Sequence, residues 1–408
     1  MFFADNRGRG RLVLTHCHLA DVQGLQIRPD VSIVIEDGVV AAVRSGSVDA
    51  PAEITVDLGG ALVTPGFVDA HVHLCLDAGP DSHLRLDELD EGEQVRVLRD
   101  SLERNLAAGV TTVRDVGSRI ELLAQMRSLE ASAEVFPTVL ASGPVLTVPD
   151  GHAAFFGEAA SPSNIEEILE RAIAAGADHV KLVSSGGNLS PQTDVHSCQY
   201  SDEEFAALTA ASRAHGLDVA CHAHGADAVD QCLRYGVRSI EHGSYMTPEQ
   251  LAQLGERGIS WVPTLAPGTV IAALSEAAAD RVARRRENLR RGVQLGVPVA
   301  AGTDAGIAGA PHGIFAYELD EYVAAGMSRM QALRCGSLSC AEMMRIADRK
   351  GRVHVGADAD LLVFARGLDD PEFSFHAPAA VVRGGVVVKA AAPVSTAFAD
   401  AGVAPLVG

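Results

Sequence analysis

Apolar and polar positions alternate in short runs over the first sixty residues. Four runs have the period of two expected of strands: residues 11–14, 31–36, 39–43 and 53–57. Asp37-Gly38 supplies a hairpin turn between the second and third. Similar runs return only at residues 359–364 and 381–388. We predict that residues 1–60 and 350–408 pair into one small β-sandwich-like domain.

Between these segments the pattern changes to an apolar β-rich run, a loop and a helical stretch, repeated. The eight runs cover residues 61–73, 110–115, 137–142, 179–184, 218–222, 239–242, 260–265 and 297–304. Helical periodicity follows them, as over 201–215, where Ser201 and Glu204 have capping-box spacing. Buried strands alternating with helices favour parallel pairing, and eight of them predict an α/β fold, a (β/α)8 TIM barrel over residues 61–349. An open doubly wound sheet is the alternative, but neither GxGxxG nor GxxxxGK[ST] occurs.

Composition narrows the class of protein. The 408 residues are 47% hydrophobic and 21% charged, with a net charge of −20, which argues against a nucleic-acid partner. The one basic run, residues 281–291, has helical spacing and is interpreted as a solvated helix face. Seven scattered cysteines without CxxC spacing favour a reducing cytoplasm. We expect a small-molecule substrate and no membrane span or secretion signal; a homo-oligomer is compatible with the sequence.

Potential metal ligands stand at the ends of the predicted strands, where barrel enzymes carry their active sites. They are His71 and His73 on the first strand, Lys181 on the fourth, His222 on the fifth, His242 on the sixth and Asp304 on the eighth. His71 and His73 lie two apart and therefore point to the same side of a strand. Imidazole and carboxylate suit zinc, and less selectively manganese, cobalt or iron.

Lys181 lies within an apolar strand, where an unpaired ammonium is costly. One solution is reaction of the neutral amine with carbon dioxide, which gives a carbamate able to bridge two cations. The other is an ordinary salt bridge, with Asp304 or Asp115 as the partner. The residues alone leave both open.

Five segments resemble the signature motifs of the amidohydrolase superfamily in order and spacing. They are TPGFVDAHVHL (64–74), HVKLVSSGG (179–187), CHAHG (221–225), SIEHGSYM (239–246) and AGTDAG (301–306). The closing GRVHVGADADLLVF (351–364) is similar to the terminal β segment of that superfamily. The nearest branch is the imidazolonepropionase-like group, which includes binuclear dipeptidases acting on Xaa-Pro or Xaa-Arg.

The resemblance implies two divalent metal ions, with zinc expected. His71, His73 and Asp304 resemble the ligands of the more buried ion, and His222 and His242 those of the more exposed one. Lys181 matches the carboxylated lysine that bridges them. A metal-bridging hydroxide would attack the substrate carbonyl, and Asp304 would move its proton to the leaving amine.

One departure from relatives is informative. Deaminases and imidazolonepropionase carry a catalytic glutamate three residues after the fifth-strand histidine, where this chain has Gly225. A mononuclear deaminase is therefore disfavoured. His224 follows His222 by two, so it either points the same way or leaves the strand, and in both cases it is interpreted as lying behind the metal ligands.

Other candidate residues follow strand ends. His152 and Tyr245 are predicted to contact substrate as catalytic hydrogen-bond donors, with a surface-loop position as the alternative for each. Asp115 is expected to be structural. His312 fits either a helix start or a pocket wall.

These observations favour an enzyme that hydrolyses the amide bond of a dipeptide or N-acyl amino acid. A second hypothesis is an enzyme with the same two metal ions that hydrolyses a lactone, a carbamate or a cyclic ureide. The third is an inactive barrel that serves as a binding module, which the intact ligand set disfavours.

Overall fold

Strands from both ends of the chain share one sheet. The computed structural model describes residues 10–47, 54–132, 134–187, 189–190 and 192–406, so Glu53, the start of the predicted fourth run, lies outside the described residues. The sheet has eight strands in the order β17-β16-β15-β5-β1-β2-β3, with β4 beside β1. They are β1 (Arg11–Asp21), β2 (Gln26–Glu36), β3 (Val39–Ser45), β4 (Ile54–Asp57), β5 (Leu62–Pro65), β15 (Leu361–Phe364), β16 (Ala380–Arg383) and β17 (Val386–Ala390). The domain boundaries at residues 60/61 and 349/350 stay a prediction.

The first predicted barrel run, residues 61–73, is two strands rather than one. Leu62–Pro65 pairs with β1 and β15 in the terminal sheet, and Phe67–Val72 begins a parallel sheet. The break falls at Gly66, where a Cβ atom would lie 2.2 Å from Thr111 Oγ1. Close packing against Thr111 therefore needs glycine at the point where the chain changes sheet.

Parallel strands and intervening helices make up the rest of the described chain. One sheet contains β6 (Phe67–Val72), β7 (Val110–Asp115) and β8 (Thr138–Ala141). The other has the order β10-β9-β11-β12-β13-β14, with β9 (Val145–Thr147), β10 (Gly157–Ala159), β11 (Val180–Val183), β12 (Val219–Ala223), β13 (Ser239–His242) and β14 (Ser260–Val262). All pairs in both sheets are parallel. The fold is therefore α/β with parallel sheets, as predicted.

Isolated contacts link the two parallel sheets at both edges. At one edge the Asp178 amide donates to the Ala141 carbonyl (2.8 Å). At the other, Trp261 is bridged to Val299, and Val72 to Ala305. Residues 299–305 therefore lie between β14 and β6.

Two predicted strands are shorter or less regular than expected. The run 260–265 ends at Val262, because Pro263 has no amide hydrogen and Thr264 has a φ of 55°. The run 297–304 forms isolated bridges instead of a strand. Its extended path is interrupted where Asp304 takes a φ of 57°.

Helices follow most of the parallel strands. They are α1 (Glu91–Ala107), α2 (Ile120–Glu130), α3 (Ile165–Ala174), α4 (Asp202–Ala214), α5 (Ala226–Tyr235), α6 (Pro248–Arg257), α7 (Gly268–Ala272), α8 (Glu276–Leu295), α9 (Phe315–Ala324), α10 (Arg329–Cys335), α11 (Leu338–Met343) and α12 (Ser395–Asp400). The predicted capping box of Ser201 and Glu204 is confirmed at the start of α4. Among the described residues, no helix combines the length and apolar character that crossing a bilayer requires.

Two apolar cores form in the described chain. One lies among the parallel strands and their helices and includes Phe67, Leu182 and Trp261. The second lies within the terminal sheet and includes Leu12 and Val363. The strands of these sheets run in the same direction, so their carboxyl ends lie along one edge of the core. Polar side chains at those ends therefore share one space.

Candidate metal centre

The predicted ligands come together in one cavity. Its wall contains six side chains from strand ends and the loops that follow them: His71, His73, Lys181, His222, His242 and Asp304. All are buried or nearly so. The arrangement follows from parallel strands, because each carboxyl end delivers its residue to the same side of the sheet.

The first ligand group contains His71, His73 and Asp304. Asp304 Oδ1 lies 3.4 Å from His71 Nε2 and 3.3 Å from His73 Nε2. Burial by itself would raise the pKa of Asp304, but the two histidines outweigh it and hold that pKa well below the usual range. The carboxylate is therefore ionised, as metal ligation requires.

Buried Asp69 fixes the loop that carries Asp304. Its carboxylate accepts from the Thr303 amide (3.0 Å) and hydroxyl (2.6 Å) and from the His71 amide (3.2 Å). The Asp304 amide also donates to the His71 carbonyl at 2.7 Å. Strand β6 and the 303–304 turn are thus held as one unit, which explains how the left-handed backbone of Asp304 is maintained.

The second ligand group contains His222 and His242, and His224 joins it. Ligand atoms of the three lie within 4.8 Å of one another. His242 Nδ1 is 2.7 Å from Thr264 Oγ1, and His224 Nδ1 is 2.8 Å from Ser244 Oγ, so Nε2 of each ring is left available. Burial holds the pKa of all three well below the usual range, so they are neutral donors. The ring of His224 stacks on the ring of His242 with centroids 4.9 Å apart, so His224 lies beside the predicted ligands and not behind them.

Lys181 lines the same cavity as the two ligand groups. Among the described residues, Lys181 Nζ has no hydrogen-bond partner and no carboxylate within 4.0 Å. It therefore forms no salt bridge with Asp304 or Asp115. Asp115 instead accepts from the Leu74 amide (2.8 Å) and the Ser118 hydroxyl (2.6 Å), which is the expected structural role. Burial lowers the pKa of the Lys181 amine, and this favours the neutral form.

Glu241 is a functional residue that the sequence analysis missed. It is fully buried next to His242, and its Oε2 lies 2.7 Å from His71 Nδ1. Its Oε1 accepts from Arg114 (2.8 Å) and from the Ser239 hydroxyl (2.5 Å). A carboxylate at Nδ1 orients the ring and directs Nε2 toward the metal position. The available signal was a charged residue inside the apolar strand SIEH.

The other sequence candidates divide into one residue inside the cavity and two outside. His152 lines the cavity 4.4 Å from the His222 ring, and its Nδ1 is buried without a partner. Burial lowers the pKa of His152 to about 3. Tyr245 is absent from the described cavity wall and packs between His196 and Arg284. His312 is buried outside the wall, with Nδ1 3.2 Å from the Asn105 amide nitrogen.

The interpretation of residues 281–291 as a solvated face is wrong for two arginines. Arg281 and Arg285 are buried, and Arg285 lines the cavity. They lie four residues apart on the side of α8 that also buries Val282 and Leu289. This inward spacing was present in the sequence but was masked by the outward arginines of the same run.

The donor set fits divalent metal ions. Neutral imidazoles and an ionised carboxylate converge in two groups, and buried donors of this kind normally have partners. His71 also has the outer carboxylate partner typical of metal-ligating histidines. The site can therefore hold metal at the carboxyl ends of the strands, beside an open cavity.

Comparison with known proteins agrees with this chemistry. Imidazolonepropionase from Deinococcus radiodurans is 26% identical over 379 residues, which cover 83% of this chain and 86% of that protein. Ochratoxinase from Aspergillus niger is 24% identical over 410 residues, covering 88% and 83%. The crystal structure of a prolidase complexed with N-methylphosphonate-L-proline has a TM-score of 0.84 and 25% identity, covering 93% of this chain and 100% of that one.

A family model decides the classification. The model described as the amidohydrolase family matches residues 62–397, well over half of the chain. This span contains both ligand groups, Lys181 and four of the eight strands of the terminal sheet. The protein belongs to the amidohydrolase family and is a hydrolytic enzyme with imidazolonepropionase and prolidase among its relatives.

Proposed function

We propose that the enzyme hydrolyses the C–N amide bond of a small substrate, a dipeptide or an N-acyl amino acid. The observation that carries this proposal is the pair of ligand groups that line one cavity together with Lys181. The named activity of the prolidase relative, at 25% identity, supports a peptide-like amide. Deaminases of this superfamily carry a glutamate at the position of Gly225, so the glycine supports amide hydrolysis over hydrolytic deamination.

Two divalent ions, zinc by preference and manganese, cobalt or iron as alternatives, would occupy the centre. His71, His73 and Asp304 would hold one ion, and His222 and His242 the other. A carbamate on Lys181 would supply an oxygen to each. When bound, such ions lower the pKa of a water molecule and polarise the carbonyl oxygen of the substrate.

The residues of the chain divide the remaining work. Asp304 Oδ1 faces the two histidines, so Oδ2 is the atom that would take a proton and return it to the leaving amine. His152, with an unpartnered nitrogen in the cavity, would donate to the carbonyl oxygen as charge develops there. Glu241 would keep the His71 ring in position.

We also propose that the parallel strands close into a (β/α)8 barrel, with a separate β domain built from residues 1–60 and 350–408 together with strand β5. The bridges of residues 299–305 to Trp261 and to Val72 support closure. Seven free cysteines support a reducing compartment such as the cytoplasm.

A hydrolysis screen over dipeptides, N-acyl amino acids and lactones tests the proposal, with bound metal measured in the same preparation. We expect amide hydrolysis that is lost in Asp304→Asn and retained in Asp280→Asn, which changes an exposed carboxylate on α8. Turnover of lactones or ureides alone would move the assignment to that bond. Metal-free protein without any hydrolysis would instead support an inactive binding module.

A further inference from the structure

The cavity wall has a marked division of chemistry outside the ligand groups. One part is apolar and includes Val145, Phe156, Ile271, Leu274 and Ile307. Apart from Lys181, the only lysine or arginine among the described residues of this wall is Arg285. A substrate that fills the cavity therefore meets an apolar surface and a single fixed guanidinium.

Arg285 is held rigidly by one of its three nitrogens. Nη1 donates to the carbonyl oxygens of Pro263 (2.9 Å) and Thr264 (2.9 Å) and to Thr264 Oγ1 (2.8 Å). Within the described chain, Nε and Nη2 form no hydrogen bond, and Nε is buried without a partner. These two nitrogens form the edge of a guanidinium that matches the two oxygens of a carboxylate.

Neighbouring arginines on α8 each pair with a carboxylate, whereas Arg285 does not. Arg284 pairs with Asp280, Arg286 with Glu321, and Arg290 with Glu287. Arg285 is 2% exposed, and the described residues place no carboxylate within 4.0 Å of it. Burial lowers the pKa of Arg285 only to about 10, so the side chain stays charged at neutral pH. Asp304 and Glu318 attract this charge only from beyond contact distance. A buried guanidinium that no carboxylate contacts directly is unfavourable, and a bound anion would relieve that cost.

Thr264 links Arg285 to the candidate metal centre. Thr264 Oγ1 accepts from Arg285 Nη1 and also lies 2.7 Å from His242 Nδ1. The guanidinium is therefore one side chain away from the second ligand group and lines the same cavity. An anion bound there would fix the end of a substrate while its amide lies over the metals.

We propose that Arg285 binds the free carboxylate of the substrate and so restricts the enzyme to amides of amino acids with an unblocked C-terminus. This specificity rests on the proposed amide hydrolysis and adds the recognition element. The carboxylate contact is assigned to Arg285, and not to His152 or Tyr245, the hydrogen-bond donors predicted from the sequence. His152 is then free to contact the scissile carbonyl, and the apolar wall receives the acyl side chain.

The test compares N-acetyl-L-leucine and L-leucyl-L-proline with their C-terminal carboxamides. We expect the wild type to favour each free acid by about 10- to 100-fold in kcat/KM, the range of a hydrogen bond to a charged group. Arg285→Met should cut this preference to under about threefold, and the ratio of acid to amide within each variant cancels any effect on His242 that both substrates share. Arg285→Lys should be intermediate, and Arg290→Met, an exposed change on the same helix, should match the wild type.

Equal rates for acid and amide in the wild type would overturn the proposal. So would an unchanged preference in Arg285→Met, which would mean that the carboxylate is recognised by another group. If Arg285→Met does not fold by circular dichroism, the wild type and Arg285→Lys decide the result.

Calorimetric binding of N-acetyl-L-leucine and its amide separates the two proposals if no substrate is hydrolysed. Preferential binding of the acid, lost in Arg285→Met, would support the Arg285 assignment while the proposed hydrolysis fails. Equal binding of both compounds, or no binding of either, would refute the assignment.

Discussion

Replacing Glu241 with glutamine tests how the first ligand group is held in place. The carboxylate bonds to three groups at once: the Arg114 guanidinium, the Ser239 hydroxyl and the ring of His71. A glutamine has the same shape but only one acceptor oxygen. If that oxygen faces Arg114, the amide nitrogen faces His71 Nδ1; if it faces His71, two donors meet at Arg114.

The expected magnitude follows from burial. Arg114 and Glu241 are both buried, and removing one charge from a buried pair costs about 3–5 kcal/mol. The glutamine retains one hydrogen bond, so we expect a loss of about 3 kcal/mol in the free energy of unfolding. The His71 ring also loses its anionic partner, and metal affinity should fall about 10- to 100-fold.

Urea denaturation measures the first effect, and competition with a chelator measures the second. Glu287→Gln is the matched control, because Glu287 pairs with Arg290 and Arg291 on the exposed side of α8 and should change stability by less than about 1 kcal/mol. A Glu241→Gln protein with wild-type metal affinity and a loss below about 1 kcal/mol would refute this account of the network.

Three further predictions concern other parts of the structure. Lys181→Met should lower bound metal from two ions to one per chain, by elemental analysis, and added bicarbonate or acetate should partly restore activity; two ions in the variant would refute the bridge. His152→Ala should lower kcat at least about 100-fold, whereas Tyr245→Phe should change it less than about threefold, since only His152 lines the cavity; equal effects would contradict this assignment. Burial raises the pKa of Glu318 to about 8 from its usual value near 4.5, so between these values the unfolded state binds fewer protons and stability falls by about 1.4 kcal/mol per pH unit. The stability of Glu318→Gln relative to the wild type should therefore increase from pH 5 to pH 8 in urea titrations, and a constant difference would contradict the shift.

Sequence periodicity predicted the strands that position the site, because the alternation of side chains along a strand depends only on neighbouring residues. A period of two places His71 and His73 on one side, and parallel pairing brings strand ends together. The same local rules failed over residues 297–304. There the left-handed backbone of Asp304 is held because the neighbouring Thr303 donates two hydrogen bonds to the carboxylate of Asp69, which is more than two hundred residues earlier in the chain.

Long-range partners also explain the residues that were missed. Glu241 is recognisable as a positioning residue only when Arg114 and His71, from two other strands, are seen beside it. Arg285 lies in a basic run with helical spacing, and such runs usually form a solvated helix face, so the sequence predicts exposure there. Its burial depends on packing against the loop 263–264, which the periodicity of α8 alone does not specify.

The central claim is that hydrolysis depends on two bound metal ions, and metal titration of protein from which a chelator has removed the metal tests it most directly. Metal-free enzyme would be titrated with zinc while hydrolysis of an N-acyl amino acid or dipeptide substrate is followed. We predict no turnover without metal and a rise that reaches its plateau at two ions per chain. Full turnover in verified metal-free protein would contradict the account.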